Sequence, residues 1–486
     1  MTKAGGAAKE EEEDEEELSS FTPKSPLNMP YIPDELNDPA AYPATHAAFK
    51  EAQAKYREKL NHRYRLFTLP HEPESSCLSN RRDLLLIRES ANKAVLHAAK
   101  SVIRLSSSVD GKPLANCCGL WIKWDAECKT GIVLTTAQLI CSNNSKHSNY
   151  TIANHWEEGA DHYHIKANVI VHLLDDTTAE GHYLYHQEHY DLAFFEVRVD
   201  EPVDLPSFSS SVHSGLDVFR LARDVHMNLR ITHGWVEDRN PGSNERHHSM
   251  YFSHQKTDYR PRKDFNNCVY HVKKEEYPCN EDGGSIIDLD GKVVGLFNKH
   301  PTESFVPSYI LDKCLDLWLE FRCIPRLHLG MKFISIKLLD PIHAEKLWRM
   351  YKIEVGLIVE KVSAESHAEK LGICLGDIIE RFNGESISTT VELEKMLLRR
   401  CRDHLDQGNH LNEQIDVSIQ VFHTEERVRR NINLSVAVSD CGEVVKKRTY
   451  PITAIEATPA SGQSSQNVAD DPWLPRPKRT WESYLT

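Results

Sequence analysis

Cys279-Asn280-Glu281-Asp282-Gly283-Gly284-Ser285 carries two adjacent glycines, and an apolar hairpin follows it at once. The hairpin reads Ile286-Ile287-Asp288-Leu289, the two-residue turn Asp290-Gly291, then Lys292-Val293-Val294-Gly295-Leu296-Phe297. Asp-Gly between apolar runs favours a tight turn, because such turns need residues that tolerate positive φ. The glycines therefore stand at the mouth of a buried hairpin. Working upstream, Ser101-Val102-Ile103-Arg104-Leu105, Cys118-Gly119-Leu120-Trp121-Ile122 and Gly131-Ile132-Val133-Leu134-Thr135-Thr136-Ala137 are short apolar runs bounded by turns. Short strands at regular spacing predict a barrel or a sandwich.

The 486 residues are 40 % hydrophobic and 27 % charged, enough for two or three domains with their own cores. Residues 10–17 alone supply eight of the acidic charges behind the net charge of −14, and such a run is expected to be a solvated tail. No stretch approaches the ~18 apolar residues of a membrane span. The first residues lack the basic-plus-apolar pattern of a signal region and the Arg-rich, acid-poor pattern of a transit peptide, so the expected location is cytoplasmic or nuclear, without a membrane partner. Twelve cysteines, among them Cys117-Cys118, form no CxxC pair and are read as free thiols in a reducing compartment. His162-Tyr163-His164 puts two imidazoles on one strand face, but no third ligand stands at a metal-binding spacing, so neither metal nor cofactor is expected. Dispersed basic residues without an aromatic-plus-basic strand argue against a nucleic-acid partner.

Taken in order, residues 1–40 combine the acidic run with Pro23, Pro26, Pro30, Pro33 and Pro39, which predicts disorder. Residues 41–89 are a helical extension, with Phe49, Ala52, Tyr56 and Leu60 giving one apolar stripe. Residues 90–322 hold a helix over 91–99, the strands above, a strand within 165–174, Asp191-Leu192-Ala193-Phe194-Phe195, and a closing helix over 307–321 with Ile310, Leu311, Cys314, Leu315 and Trp318 on one stripe. A polar loop runs from 237 to about 263. Residues 325–440 form a second unit, in which Thr389 with Glu392 is a capping box. Residues 441–486, ending near the basic cluster Arg476-Pro477-Lys478-Arg479, read as a disordered tail.

These motifs resemble the Do-like (HtrA) serine proteases, a trypsin-fold family with C-terminal PDZ domains. That family shares a Thr-x-Ala-His segment, here Thr135-Thr136-Ala137-Gln138, an Asp-Leu-Ala strand start at Asp191, and a Gly-Asn-Ser-Gly-Gly loop, here Asn280-Glu281-Asp282-Gly283-Gly284. Gly356-Leu357-Ile358-Val359, Leu375-Gly376-Asp377-Ile378-Ile379 and Phe382-Asn383-Gly384 resemble PDZ domains in order and spacing. The resemblance implies a mainly β fold, a trypsin-like double β-barrel followed by a small α+β PDZ domain. It places Gln138 at the catalytic histidine, Asp191 at the triad aspartate and Asp282 at the nucleophilic serine, with Asn280 and Glu281 in the oxyanion loop.

A glutamine amide has no useful basicity near neutral pH, so it cannot take a hydroxyl proton. Glu281 and Asp282 are expected to bring negative charge where an oxyanion must form. Ser285, Cys279, His233 and His271 are weaker stand-ins. Peptidase activity is therefore expected to be absent. The main reading is an inactive relative that binds peptides or protein C-termini through Leu327-His328-Leu329-Gly330-Met331, read as a carboxylate-binding loop, with the ligand added as a strand beside residues 332–338. An endopeptidase with other catalytic residues, and a scaffold or chaperone subunit of a Do-like homo-oligomer, remain open alternatives.

Overall fold

A computed structural model describes residues 28–64, 78, 82–143, 156, 161–254, 281–298 and 303–448. Asn280, Cys279 and His271, the acidic run 10–17 and the basic cluster at 476–479 lie outside the described residues. The chain divides into two units, Met1–Ser75 and Ser76–Thr486. The first carries the helix Pro43–Tyr64, longer at both ends than the apolar stripe suggests.

Two closed antiparallel barrels dominate the second unit, the trypsin-like arrangement. Barrel one is built from β1 (Val102–Val109), β2 (Lys112–Asp125) and β3 (Thr130–Thr136). After the short pair β4 (Cys141–Asn143) and β5 (Asp161–Tyr163), it is completed by β6 (Asn168–His172), β7 (Thr178–Gln187) and β8 (Leu192–Arg198). Barrel two comprises β9 (Asp217–Arg223), β10 (Leu229–Glu237), β11 (Met250–Ser253), β12 (Ser285–Ile287), β13 (Val293–Asn298) and β14 (Ser304–Pro307). The strand expected within 165–174 is thus the shorter β6.

Alternation along the strands fills the interiors. Ile103, Leu105, Trp121, Val133, Val171, Phe195 and Val197 form the core of barrel one. Full burial of such a side chain is worth roughly 1.5–3 kcal/mol. Phe194 faces outward from β8 and stacks on Trp318 at 4.3 Å between centroids. Trp318 lies on the helix Ser308–Phe321, which packs on barrel two and ends at Arg322 in the left-handed region. The helix Arg88–Ala98 starts earlier than the sequence indicates and presents Ala91, Val95 and Ala98 to Val102, Leu120, Phe219, Leu221 and Val293.

The C-terminal module is a seven-stranded sheet. Its strands are β15 (Arg326–His328), β16 (Met331–Ser335), β17 (Leu357–Val362), β18 (Ile378–Phe382), β19 (Glu385–Ser386), β20 (Gln414–His423) and β21 (Val428–Ser439). The order β15-β21-β20-β18-β17-β16, with β19 on β18, leaves β16 at one edge. β16 is shorter than the strand expected over 332–338, because the chain turns into a 3-10 segment at Ile336–Leu338. The helix Thr390–Asp406 starts with the capping box expected at Thr389 and Glu392. It sends Leu393, Leu397 and Cys401 into the module core and Val391 and Leu398 toward Trp318. Residues 441–448 belong to the fold and not to a tail, since Glu443 and Val445 are buried.

Candidate functional site

The double-glycine loop closes on itself and on barrel one. Gly284 N–H donates to the Glu281 carbonyl at 3.0 Å, and Gly283 N–H and the Gly284 carbonyl pair with Phe297 at 2.8 Å each. Gly283 has φ +77°, and a Cβ there would collide with the Cys118 carbonyl; on Gly284 it would collide with the Leu221 carbonyl. The glycines are required by close backbone approach. Asp282 accepts the Cys118 N–H on its carbonyl at 2.7 Å, which hooks the loop onto β2. Its side chain is buried, 6 % exposed.

Glu281 differs from the expectation of an uncompensated charge. Its carboxylate pairs with Arg220 at 2.6 Å, and that guanidinium lies over Phe297 and Phe252 at 4.6 and 5.0 Å. The charge is balanced locally.

Asp191, with φ +53°, stands just before β8. Thr136 Oγ1 donates to its Oδ2 at 2.5 Å, and the Asn298 amide donates to the same oxygen from β13. The Asp191 carbonyl accepts the Ala137 N–H at 3.2 Å. The next residue, Gln138, is the second residue of the 3-10 turn Ala137–Ile140, whose N-cap is Thr136, and its N–H donates to Thr136 Oγ1 at 3.2 Å. Gln138, Asp191 and Asp282 are thus gathered around Cys117-Cys118 of β2 and Thr135-Thr136 of β3. Burial, then Asp282, and more weakly Cys118 and Asp191, push the Cys117 thiol well up, and burial pushes Cys118 to about 12. Neither is a thiolate near neutral pH.

The stand-in residues do not complete this site. Ser285 is buried on β12 between Leu221 and Leu296 in the pairing, and its hydroxyl meets no hydrogen-bond partner among the described residues. His233 packs on Phe219, with Asp217 at 3.5 Å. Thr136 lies inside the Thr-x-Ala segment, whereas Asn298, which also engages Asp191, carries no signal in the sequence beyond its nearness to the hairpin.

At the edge of the C-terminal module, the five residues read as a carboxylate loop divide in role. Leu327, Leu329 and Met331 send their side chains into the module core. His328 Nε2 lies 3.1 Å from the Cys441 carbonyl. Gly330, at φ +70°, donates its N–H to Glu443 Oε1 at 2.6 Å, and its carbonyl accepts from Ser363 N–H at 2.7 Å. Further along the edge, Phe333 N–H donates to His247 Nε2 at 3.0 Å. Ser335 N–H donates to Asn240 Oδ1 at 2.7 Å, while Asn240 Nδ2 donates to the Ser335 carbonyl at 3.0 Å.

A buried ionic cluster lies behind this edge. Arg326 grips Glu394 through Nε at 3.0 Å and Nη2 at 2.7 Å, and its Nη1 also meets Glu443. Tyr190 OH donates to Glu394 at 3.1 Å. Burial alone pushes the Glu394 carboxyl up, but Arg326 outweighs it and holds the group below its ordinary range. His189 and His247 approach Glu394 to 3.8 and 3.9 Å, yet burial, with Arg326 adding to it, keeps both well below 6.5 and neutral.

Over 126 residues, 24 % of its length, the chain is 26 % identical to the serine protease Do-like HtrB of Bacillus subtilis, and the match spans 28 % of that protein. The sequence relationship is to HtrA-type serine proteases. No protein-family profile matches the chain. Among solved structures, the serine endoprotease from Yersinia pestis aligns at 14 % identity with a TM-score of 0.40, covering 72 % of this chain and 97 % of that one. The HtrA-type protease AlgW with tripeptide aligns at 14 % identity with a TM-score of 0.42, covering 72 % and 96 %.

Proposed function

We propose that this chain is a catalytically inert HtrA-type homologue that works by binding the C-termini of peptides or proteins through a PDZ domain formed by the C-terminal module. The observation that carries the reading is Gly330: at the head of an edge strand its N–H already holds a carboxylate, that of Glu443, at 2.6 Å. Adding a strand at such an edge is a common mode of peptide recognition, with backbone bonds giving affinity. The inert half of the reading is supported by Asp191, whose Oδ2 is engaged by Thr136 and Asn298, and by Gln138, which offers no base.

A fluorescein-labelled heptapeptide ending in Val-Val-Val, titrated to millimolar concentration in an anisotropy assay, tests the binding half. The free acid should saturate and its C-terminal amide should not; equal binding of the two, or none by either, overturns it. Incubation with casein from pH 5 to 9 tests the other half, and hydrolysis by the purified chain would promote the endopeptidase reading.

A further inference from the structure

We infer that the peptide edge of β16 is closed in cis: Glu443 takes the carboxylate position at Gly330, and the loop bearing Asn240 and His247 lies where a ligand strand would run. This deepens the peptide-binding reading and rests on it. An outside C-terminus then binds only by displacing Glu443.

Three backbone donors face outward along this edge, those of Gly330, Phe333 and Ser335. Each is met by a side chain of the same molecule: Glu443, His247 and Asn240. Among the described residues no strand pairs with this side of β16, since β17 lies on the other side. Isolated side-chain bonds are individually weak once the water bonds they replace are counted, so they can exchange for a ligand that makes equivalent ones.

The segment that carries Glu443 is strapped down at both ends. Asp440 accepts from the Ile324 N–H at 3.1 Å and from Tyr185 OH, and its carbonyl accepts from Gln187 Nε2 at 2.9 Å. Arg246 Nη1 donates to the Glu443 carbonyl at 2.7 Å. Lys446 pairs with Ser363 Oγ at 3.0 Å and with Ala364 N–H at 3.0 Å. The strap thereby ties barrel one, through Tyr185 and Gln187, to the module.

Charge selects what can displace it. Glu443 is buried to 1 % exposure, and the Arg326 guanidinium beside it is shared with Glu394. Leaving that position empty would forfeit a buried charge-assisted bond, which is costly. A free C-terminal carboxylate restores the bond to Gly330 and the charge beside Arg326, whereas an amidated end offers Gly330 only a neutral carbonyl and restores no charge beside Arg326. A tethered competitor acts at an effective concentration of about millimolar, so the closed chain should bind outside peptides weakly.

The test uses the full chain, the variants Glu443→Gln and Asn240→Ala, and the same heptapeptide as acid and amide. Glu443→Gln should bind the acid about ten-fold or more tightly than the natural chain does, with Asn240→Ala giving a smaller gain. Hydrogen exchange of the segment 329–336 without peptide should rise in both variants, a readout that does not depend on any ligand. Equal acid affinity in natural chain and variants, or unchanged exchange over 329–336, overturns cis closure. Faster exchange in the variants with no acid binding by any of them leaves the strap standing and overturns the peptide-binding reading instead.

Discussion

The Asn298 amide donates to the Asp191 carboxylate across the two barrels, from the end of β13 to the start of β8. Thr136 donates to the same oxygen from β3. Asp191 thereby ties the two barrels together. Asp191→Ala strands two partly or fully buried donors, each costing about 1–3 kcal/mol when unmet. Urea unfolding should show a loss in that range per donor, while anisotropy with the heptapeptide stays unchanged.

Gly283 sets the approach of the loop to β2. Its φ of +77° disfavours any side chain, and an added Cβ would meet the Cys118 carbonyl, which is backbone and cannot swing away. Gly283→Ala should therefore lower stability by more than the ~1 kcal/mol of an ordinary glycine replacement. A melting temperature within a degree of the natural chain would show that the loop lifts off β2 at little cost.

Placing a histidine at 138 and a serine at 282 should not create peptidase activity. In Gln138→His with Asp282→Ser, Thr136 and Asn298 already hold Asp191 Oδ2, so the new imidazole reaches that oxygen only by displacing them. Without that partner the ring is not held in the tautomer that accepts the serine proton, and loss of one triad member typically costs roughly 10⁴-fold or more. A fluorophosphonate probe should leave the double variant unlabelled. Labelling would mean that Asp191 gives up its present bonds readily.

The barrels were legible because their signal is local. Asp290-Gly291 between apolar runs and the spaced strands from Val102 onward specify hairpins and alternation, which nearby residues suffice to reveal. Gln138, Asp191 and Asp282 were singled out by motifs of the same short range. What binds these residues was not legible: Asn298 lies 107 positions from Asp191, and Glu443 lies 117 from Arg326. Glu443 sits in a polar stretch just past the last strand, where a solvated tail and a buried strap have the same composition. Tertiary pairing alone separates them.

Stability should fall as the pH drops from 7 toward 5. His189 and His247 are buried and held well below 6.5, so the unfolded chain takes up protons in this window while the native chain does not. Their stabilising contribution is complete above the unfolded value and is lost as pH falls below it. Each contributes a slope of up to about 1.4 kcal/mol per pH unit. Urea titrations at pH 7, 6 and 5 should show falling midpoints, and His189→Gln should flatten the trend. A flat profile in the natural chain would mean that the two rings titrate normally.

The Arg326 guanidinium bridges Glu394 and Glu443, and all three side chains are buried. Arg326→Met leaves two carboxylates facing each other in the interior, and breaking a buried pair from one side typically costs about 3–5 kcal/mol. The pH dependence of that loss is the sharper test. With Arg326 present, Glu394 is held below its ordinary 4.5, so its contribution is kept at neutral pH and lost on acidification. Without the guanidinium, burial dominates and lifts the Glu394 carboxyl above its unfolded value. The sign then reverses: the contribution is present in acid and lost as pH rises through the new, higher value. The stability gap between natural chain and Arg326→Met should accordingly narrow from pH 7 to pH 5. Adding Glu394→Gln to Arg326→Met should recover part of the loss at pH 7 and less at pH 5. A gap that stays constant with pH would show that Arg326 stabilises the junction by packing and not by its charge.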